Sequence, residues 1–140
     1  MHLSMHNWMR AEPIEVTIAR LAKYGYESIE IGGEPKRYDT KEVKGYLDEY
    51  GIRCWGAVTL MFEGLHLPSP DEAVRAHSVQ YVKDCITMVK ELEGYEMTIV
   101  HGTVGKINPD GTPEEEWQWA VEECPWVRAW LSPGRCWPET

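Results

Sequence analysis

Two strand-like stretches of the sequence end in side chains that could bind a small polar ligand. The first stretch ends in His6, Asn7 and Trp8, and the second ends in His101. Imidazole and amide groups form hydrogen bonds with hydroxyls, while an indole ring offers a flat apolar face. These residue types suit ligand binding. A packing cluster at the first stretch and a structural histidine at the second are the alternatives.

Carboxylates lie within and just after another strand-like run, residues 28–33. Glu34 follows this run and could accept a hydrogen bond from a ligand hydroxyl, although an exposed loop carboxylate is the alternative. Glu30 alternates with two isoleucines within the run, so we expect a structural buried carboxylate, and burying an unpaired one is costly. A direct catalytic role is the alternative. Trp55, in a later run, is expected to lie in the core. His66 and His77 are not accompanied in the sequence by a constellation of other candidate site residues.

No motif in the sequence identifies a catalytic residue. A Ser-His-Asp arrangement, a P-loop and a G-x-G-x-x-G turn are all missing. The four cysteines form no C-x-x-C pair, so a zinc knuckle is disfavoured and free thiols in the core are expected. We therefore leave the catalytic residues unassigned and predict no metal ligands in this chain.

The composition and charge of the chain disfavour several classes of protein function. The chain has 140 residues and a formal net charge of −9. This charge disfavours nucleic-acid binding, which needs a surface rich in lysine and arginine. The sequence has no apolar run long enough to span a membrane, no basic amphipathic stretch and no secretory signal at its start. A cytoplasmic protein is the expectation.

Strand-like and helix-like segments alternate along the chain. Period-two alternation and apolar runs predict strands beginning near residues 3, 28, 52 and 96. Helices follow each strand, with capping residues predicted at Asp39, Ser69 and Thr112. Pro125 is expected to interrupt the fourth helix after barely three turns. The fold class is therefore α/β, with a (βα)4 order and parallel strands, because each connection is a crossover helix.

Two architectures fit a (βα)4 chain of this length. One is a small open α/β sheet, and the other is part of a (β/α)8 barrel, which takes about 250 residues. The order of the elements leaves both open.

Several segments in order resemble one known family. They are "LSMHNWM", "IARLAKYGYESIEIGGEP", "LDEYGIRCWGAVTLM", the helix of residues 71–94 and "MTIVHGTVG". The run from Leu21 to Ile31, and Arg75 in a helix that ends in Leu-x-Gly, carry most of the resemblance. The chain is similar to the sugar phosphate isomerase/epimerase family of xylose isomerase-like TIM barrels. This family includes ketose 3-epimerases, hydroxypyruvate isomerases and inosose dehydratases.

The resemblance implies a fold, a chemistry and a set of contacts. The fold would be a (βα)4 parallel half-barrel, the N-terminal half of a TIM (β/α)8 barrel, over residues 1–123. The chemistry would be isomerisation or epimerisation of a small sugar or polyol, in which a divalent cation (Mn, Mg or Co) and paired glutamates move a proton. His6, Trp8, Glu34 and His101 would then contact the substrate.

The chain also departs from the family pattern. The resemblance places the family's metal ligands on strands five to eight, and no segment here matches them, so we expect no specific metal binding and no activity from this chain alone. Residues 124–140 form an atypical tail that we interpret as out-of-frame translation or an irregular terminus. The alternatives are a half-barrel that pairs with itself or with a complementary half, and a self-sufficient four-stranded α/β domain unrelated to the family.

Overall fold

The structure, a computed structural model, describes residues 3–130, with side chains as far as Glu122. The atypical tail of residues 124–140 lies outside these limits, apart from the backbone up to Trp130. The bounds of the elements are β1 Ser4–His6, a 3-10 helix Asn7–Met9, α1 Ile14–Lys23, β2 Ser28–Gly33, α2 Thr40–Tyr50, β3 Arg53–Thr59, α3 Glu72–Glu91, β4 Glu96–Thr98 and α4 Pro113–Trp130.

All four strands belong to one parallel sheet in the order β1-β2-β3-β4. Each strand is followed by an α-helix, so the predicted (βα)4 order is confirmed. The described residues divide into two compact units. The first unit comprises residues 3–59 and 85–98 and contains the whole sheet, and the second comprises residues 60–84 and 99–130.

Apolar side chains from the strands and helices form the core of the first unit. Burial of these side chains is the main favourable term in folding. Cys54 is among them, and burial raises the pKa of its thiol to about 12, so it packs as a small apolar group, as expected. The core residues are Ile18, Leu21, Ile29, Ile31, Val43, Leu47, Ile52, Cys54, Ala57, Met88, Val89 and Leu92.

Side-chain caps begin three of the helices. Asp39 accepts hydrogen bonds from the backbone N–H groups of the first turn of α2, as predicted. Thr112 and Glu115 form the reciprocal capping box predicted for α4. For α3 the predicted cap at Ser69 is displaced. Helix α3 begins at Glu72, and Asp71 accepts the N–H of the second helical residue, because its carboxylate lies directly before the first turn.

Trp55 does not lie in the core, contrary to our expectation. It is 36% exposed, and its Nε1 donates a hydrogen bond to Glu96 Oε2 at 3.1 Å. Trp55 alternates with the buried Cys54 and Gly56 along β3, so its side chain lies on the exposed side at this end of the strand. The pairing of β2 with β3 is irregular here: Ile29 pairs with Cys54, but Glu30 pairs with Gly56, so Trp55 is an extra residue in β3.

Helix α4 continues past Pro125 to Trp130, so the predicted interruption at this proline is wrong. Proline removes one backbone hydrogen bond and bends a helix, but the hydrogen bonds before and after the proline can keep the helix continuous.

Gly56 allows β3 and β4 to approach closely. A Cβ atom placed on this residue would lie 2.1 Å from the backbone oxygen of Glu96 and 2.8 Å from its carbonyl carbon. Both atoms belong to the backbone of the neighbouring strand, so a flexible side chain cannot move aside to relieve the clash. Glycine at this position is therefore a requirement of the pairing between β3 and β4.

We expect Gly56→Ala to lower the free energy of unfolding by about 1–3 kcal/mol, because the strands must separate to admit the methyl group. Urea unfolding monitored by circular dichroism measures this change. Gly45→Ala in the exposed part of α2 is the matched control, since nothing lies within 4 Å of its added Cβ. That control should be stabilising by roughly 0.5–1 kcal/mol. Equal midpoints for the two variants would contradict the close approach.

Candidate functional site

The predicted site residues are distributed over both units. His6, Trp8 and Glu34 lie in the first unit, and His101 lies in the second. In the first unit, His6 is the last residue of β1, Trp8 comes two residues later, and Glu34 directly follows β2. The two strands pair in parallel, with His6 directly opposite Glu30. The carboxyl ends of parallel strands share one edge of a sheet, which is where ligand sites form in α/β proteins.

His6 has one ring nitrogen engaged and one without a partner. Its Nδ1 accepts the backbone N–H of Trp8 at 3.0 Å and so caps the 3-10 helix Asn7–Met9. Its Nε2 is buried and has no hydrogen-bond partner in the described part of the chain. Burial lowers the pKa of His6, and the nearby Glu30 carboxylate opposes this shift. Because Nδ1 is an acceptor, the neutral ring carries its proton on Nε2.

Trp8 stands beside this histidine and is 51% exposed. The 3-10 helix turns the chain sharply after β1, so the indole is not packed within the strand. An exposed indole is an available apolar platform. Glu30 is half-buried on β2 opposite His6, so it is not the fully buried carboxylate expected from the sequence, and its charge opposes the lowering of the His6 pKa.

Glu34 is held by a network that connects three segments of the first unit. Asn7 Oδ1 accepts the N–H of Gly32 at 2.8 Å, and Asn7 Nδ2 donates to the Tyr38 hydroxyl at 2.9 Å. That hydroxyl reaches Glu34 Oε2 at 3.5 Å, while Arg37 forms an ion pair with the same oxygen at 2.8 Å. Glu34 is therefore a half-buried, partnered carboxylate and not a free loop charge.

Sequence reasoning missed the roles of Tyr38 and Arg37. The i, i+3 spacing of Glu34 and Arg37 was the available signal, since such pairs often interact. No sequence pattern indicates that Tyr38 reaches Asn7. Burial raises the pKa of Tyr38, so its hydroxyl keeps its proton and can donate to Glu34 while accepting from Asn7.

His101 is exposed in the second unit, just after β4. Its backbone oxygen accepts the N–H of Leu67 at 3.0 Å, which connects the loop after β4 to the loop after β3. The predicted role of its imidazole in substrate binding stays a prediction.

His66 belongs to a cluster of polar side chains, so the sequence-based view that it has no constellation is wrong. Its ligand atom and those of Asp110 and Glu116 lie within 4.8 Å of one another. The two carboxylates come from a loop and a helix far along the chain, which is why no spacing motif identified them. His66 is 8% exposed, and its Nε2 lies 3.2 Å from Asp110 Oδ2 without the alignment of a hydrogen bond.

The residue types of this cluster suggest a divalent cation, but its hydrogen bonds do not fit one. His66 Nδ1 accepts the backbone N–H of Thr103 at 3.1 Å, so the proton of the neutral ring is on Nε2, the atom that would have to bind the metal. A metal-bound histidine normally donates through its other nitrogen. In addition, the Lys106 ammonium pairs with Asp110, and Glu116 Oε1 accepts the Asp110 N–H at 2.6 Å.

Four parallel βα units with polar and aromatic side chains after the strands define an α/β chain of the TIM-barrel type. The family model for xylose isomerase-like TIM barrels matches residues 18–127. The chain therefore belongs to that family. The alternative of an α/β domain unrelated to this family is wrong. A search of curated proteins found no match.

Solved structures of sugar epimerases share the fold. A D-allulose 3-epimerase from Methylomonas sp., in complex with D-allulose, matches with a TM-score of 0.82 and 22% identity, over 93% of this chain and 47% of that chain. A D-psicose 3-epimerase from Clostridium cellulolyticum H10, with D-tagatose, gives 0.78 and 17%, over 93% and 48%. A 3-keto-D-glucoside 4-epimerase from E. coli gives 0.74 and 16%, over 94% and 52%.

This chain spans about half the length of the structures it matches. The (βα)4 half of a TIM barrel expected from the sequence is thus confirmed. Within residues 3–130, no helix is both long enough and apolar enough to cross a bilayer.

We expect Asn7→Ala to lower the free energy of unfolding by about 1–3 kcal/mol, because it leaves the Gly32 N–H without an acceptor and the Tyr38 hydroxyl without its donor. Tyr38→Phe is the matched comparison, since it keeps the ring and removes only the hydroxyl. Tyr38→Phe should lower the free energy of unfolding by less, about 0.5–1.5 kcal/mol. Urea unfolding of both variants tests the network, and a larger loss in Tyr38→Phe would contradict the central place of Asn7.

Proposed function

We propose that this chain forms a sugar-binding half of a ketose or related isomerase/epimerase. The proposal depends on one observation at the end of β1. The Nε2–H of His6 is buried without a hydrogen-bond partner among the described residues, while the indole of Trp8, two residues further on, is exposed. A buried donor without a partner is costly, and a ligand hydroxyl would supply the missing acceptor. The indole would cover the apolar face of the sugar ring.

Glu34 would accept a second substrate hydroxyl in this proposal. Its ion pair with Arg37 and its contact with Tyr38 hold the carboxylate in one position, which reduces the entropy lost on binding. His101 lies in the second unit, and its contact with the substrate is proposed from the family resemblance alone. The support for a sugar comes from the shared family and from the ketoses found with two of the matched epimerases.

Catalysis would require groups beyond the described residues. The family chemistry needs a divalent cation, which polarises the substrate carbonyl when it is bound. The described residues provide a single His-Asp-Glu cluster, and the hydrogen bonds of His66 and the ion pair of Asp110 do not fit a cation. We therefore propose that the chain binds a sugar without converting it, and that it works in the cytoplasm.

Incubation of the purified chain with D-fructose, D-allulose or D-tagatose and Mn²⁺ tests the catalytic part of the proposal. Separation of the products by chromatography should show no epimer above a control with chelator. Metal-dependent conversion of any of these ketoses would overturn the proposed lack of activity.

Trp8→Ala should weaken the binding of D-allulose about threefold to tenfold, because an aromatic contact of this kind contributes about 0.5–1.5 kcal/mol. Titration followed by backbone amide shifts in NMR spectra measures the dissociation constant. Trp117→Ala is the matched control, since Trp117 is 72% exposed and belongs to α4, and it is not among the residues proposed to contact the sugar. No binding by the unaltered chain, or equal weakening in the control, would contradict the sugar site.

A second candidate function is a non-catalytic assembly module, in which the chain pairs with another copy or with a complementary half. The sheet order favours it, because β1 and β4 are both edge strands and unpaired strand edges promote association. Sedimentation over a wide concentration range distinguishes the two. A monomer with one cooperative unfolding transition would argue against obligate pairing, and a dimer would support it.

A further inference from the structure

The second unit contains two loops that are tied to each other by hydrogen bonds. We call residues 60–71 the β3 loop and residues 99–112 the β4 loop. Three of these bonds use groups that do not titrate, and the fourth runs from the Thr103 N–H to His66 Nδ1 at 3.1 Å. Thr103 Oγ1 also lies 3.3 Å from the same nitrogen. The other three are Thr103 Oγ1 to the Leu65 oxygen at 2.6 Å, the Leu67 N–H to the His101 oxygen at 3.0 Å and the Val104 N–H to the Met61 oxygen at 2.6 Å.

Protonation of His66 would reverse the fourth interaction. The neutral ring accepts the Thr103 N–H because Nδ1 carries a lone pair. The imidazolium carries hydrogen on both ring nitrogens, so Nδ1–H would face the Thr103 N–H at the same short distance. The imidazolium Nδ1–H can instead donate to Thr103 Oγ1, which lies 3.3 Å away, and the Thr103 amide loses its only acceptor among the contacts described for it.

The β4 loop is the partner that would move. The backbone N–H of His66 donates to Ser78 Oγ at 2.7 Å, and Ser78 Oγ in turn donates to the Val74 oxygen within α3. His66 is thereby fixed to a long helix. Thr103 lies in a loop with no regular secondary structure of its own.

We propose that His66 is a proton-sensitive latch, which holds the β4 loop when the ring is neutral and releases the Thr103 amide when the ring is protonated. This assignment also explains why the cluster of His66, Asp110 and Glu116 does not fit a cation. The proton on Nε2 that excludes a metal follows from the same hydrogen bond that closes the latch.

The charges around His66 decide the pH range of the latch. Burial is the largest effect and lowers the pKa of His66, and Lys106 and His101 act in the same direction. Asp110 in the β4 loop and Glu116 on α4 oppose the shift, while α3 contributes the uncharged Ser78.

The sign follows from this lowered pKa. The unfolded chain takes up a proton near pH ~6.5, but the folded chain resists it. The latch therefore contributes its full stability above that pH and loses it as the pH falls through the lower pKa of the folded state.

Hydrogen exchange of the Thr103 amide tests the latch directly in the full chain. Exchange is measured by NMR from about pH 7.5 down to a pH below the pKa of folded His66, which titration of its ring resonances in the same sample locates, with correction for intrinsic exchange. We expect protection of this amide to fall at least about fivefold on acidification, which corresponds to the loss of one buried hydrogen bond.

His66→Asn is the informative variant, because the asparagine Oδ1 can take the place of Nδ1 as an acceptor but cannot be protonated. It should keep the Thr103 amide protected throughout the pH range. His77→Asn, at an exposed position of α3, is the matched control and should behave like the unaltered chain. Constant protection in the unaltered chain, or unchanged pH dependence in His66→Asn, would overturn the latch.

A second measurement does not depend on any variant folding. Long-range ¹H–¹⁵N NMR spectra of the imidazole should show the Nε2–H tautomer for His66 at about pH 7.5, with a pKa below the usual ~6.5. Addition of Zn²⁺ or Mn²⁺ should leave this ring unchanged. An Nδ1–H tautomer, or a stoichiometric metal complex on His66, would overturn the assignment.

Discussion

Parallel pairing of the four strands is the constraint on which the rest of this structure depends. A parallel strand cannot be reached by a tight turn, so each strand must be followed by a helix that returns the chain to the start of the next strand. All strands then end at one edge of the sheet. The residues after β1 and β2 meet at that edge, where Asn7 binds both the Gly32 N–H and the Tyr38 hydroxyl.

Two histidines in the chain illustrate how one hydrogen bond sets the chemistry of a ring. His6 and His66 each use Nδ1 to accept a backbone N–H, and in each the proton is therefore on Nε2. Burial lowers the pKa of both and keeps them neutral. Their surroundings then differ. Neither Nε2–H has a hydrogen-bond partner among the described residues, but that of His66 lies 3.2 Å from Asp110 Oδ2, so we assign His6 to ligand binding and His66 to a latch.

The sequence was sufficient to predict the elements of the fold but not all of their details. The strands, the helices after them and the caps at Asp39 and Thr112 depend on local periodicity and local hydrogen bonds, which a single sequence shows. The hydrogen bond of Trp55 to Glu96 and the close approach of β3 to β4 at Gly56 depend on contacts between strands that are far apart in the sequence. Local pattern contains no information about such contacts.

The site was predicted less completely for a related reason. Residues next to strand ends are visible in the sequence, so His6, Trp8 and Glu34 could be proposed. The groups that set their properties are not, because the link from Asn7 to Tyr38 and the approach of Asp110 to His66 join segments far apart in the chain. These contacts form only when the loops that carry the residues have folded. The displaced cap of α3 at Asp71 shows the same limit on a smaller scale.

The proposed division between binding and catalysis follows from the kinds of groups present. Removal of a proton beside a carbonyl creates an enediolate, and its charge must be stabilised more strongly than the charge of the substrate. A neutral imidazole N–H, an indole face and a carboxylate already paired with Arg37 would contact substrate and transition state about equally. Contacts of that kind provide affinity but little acceleration. A sugar held by these residues would therefore be oriented by this chain, while the charge that drives its conversion would have to come from elsewhere.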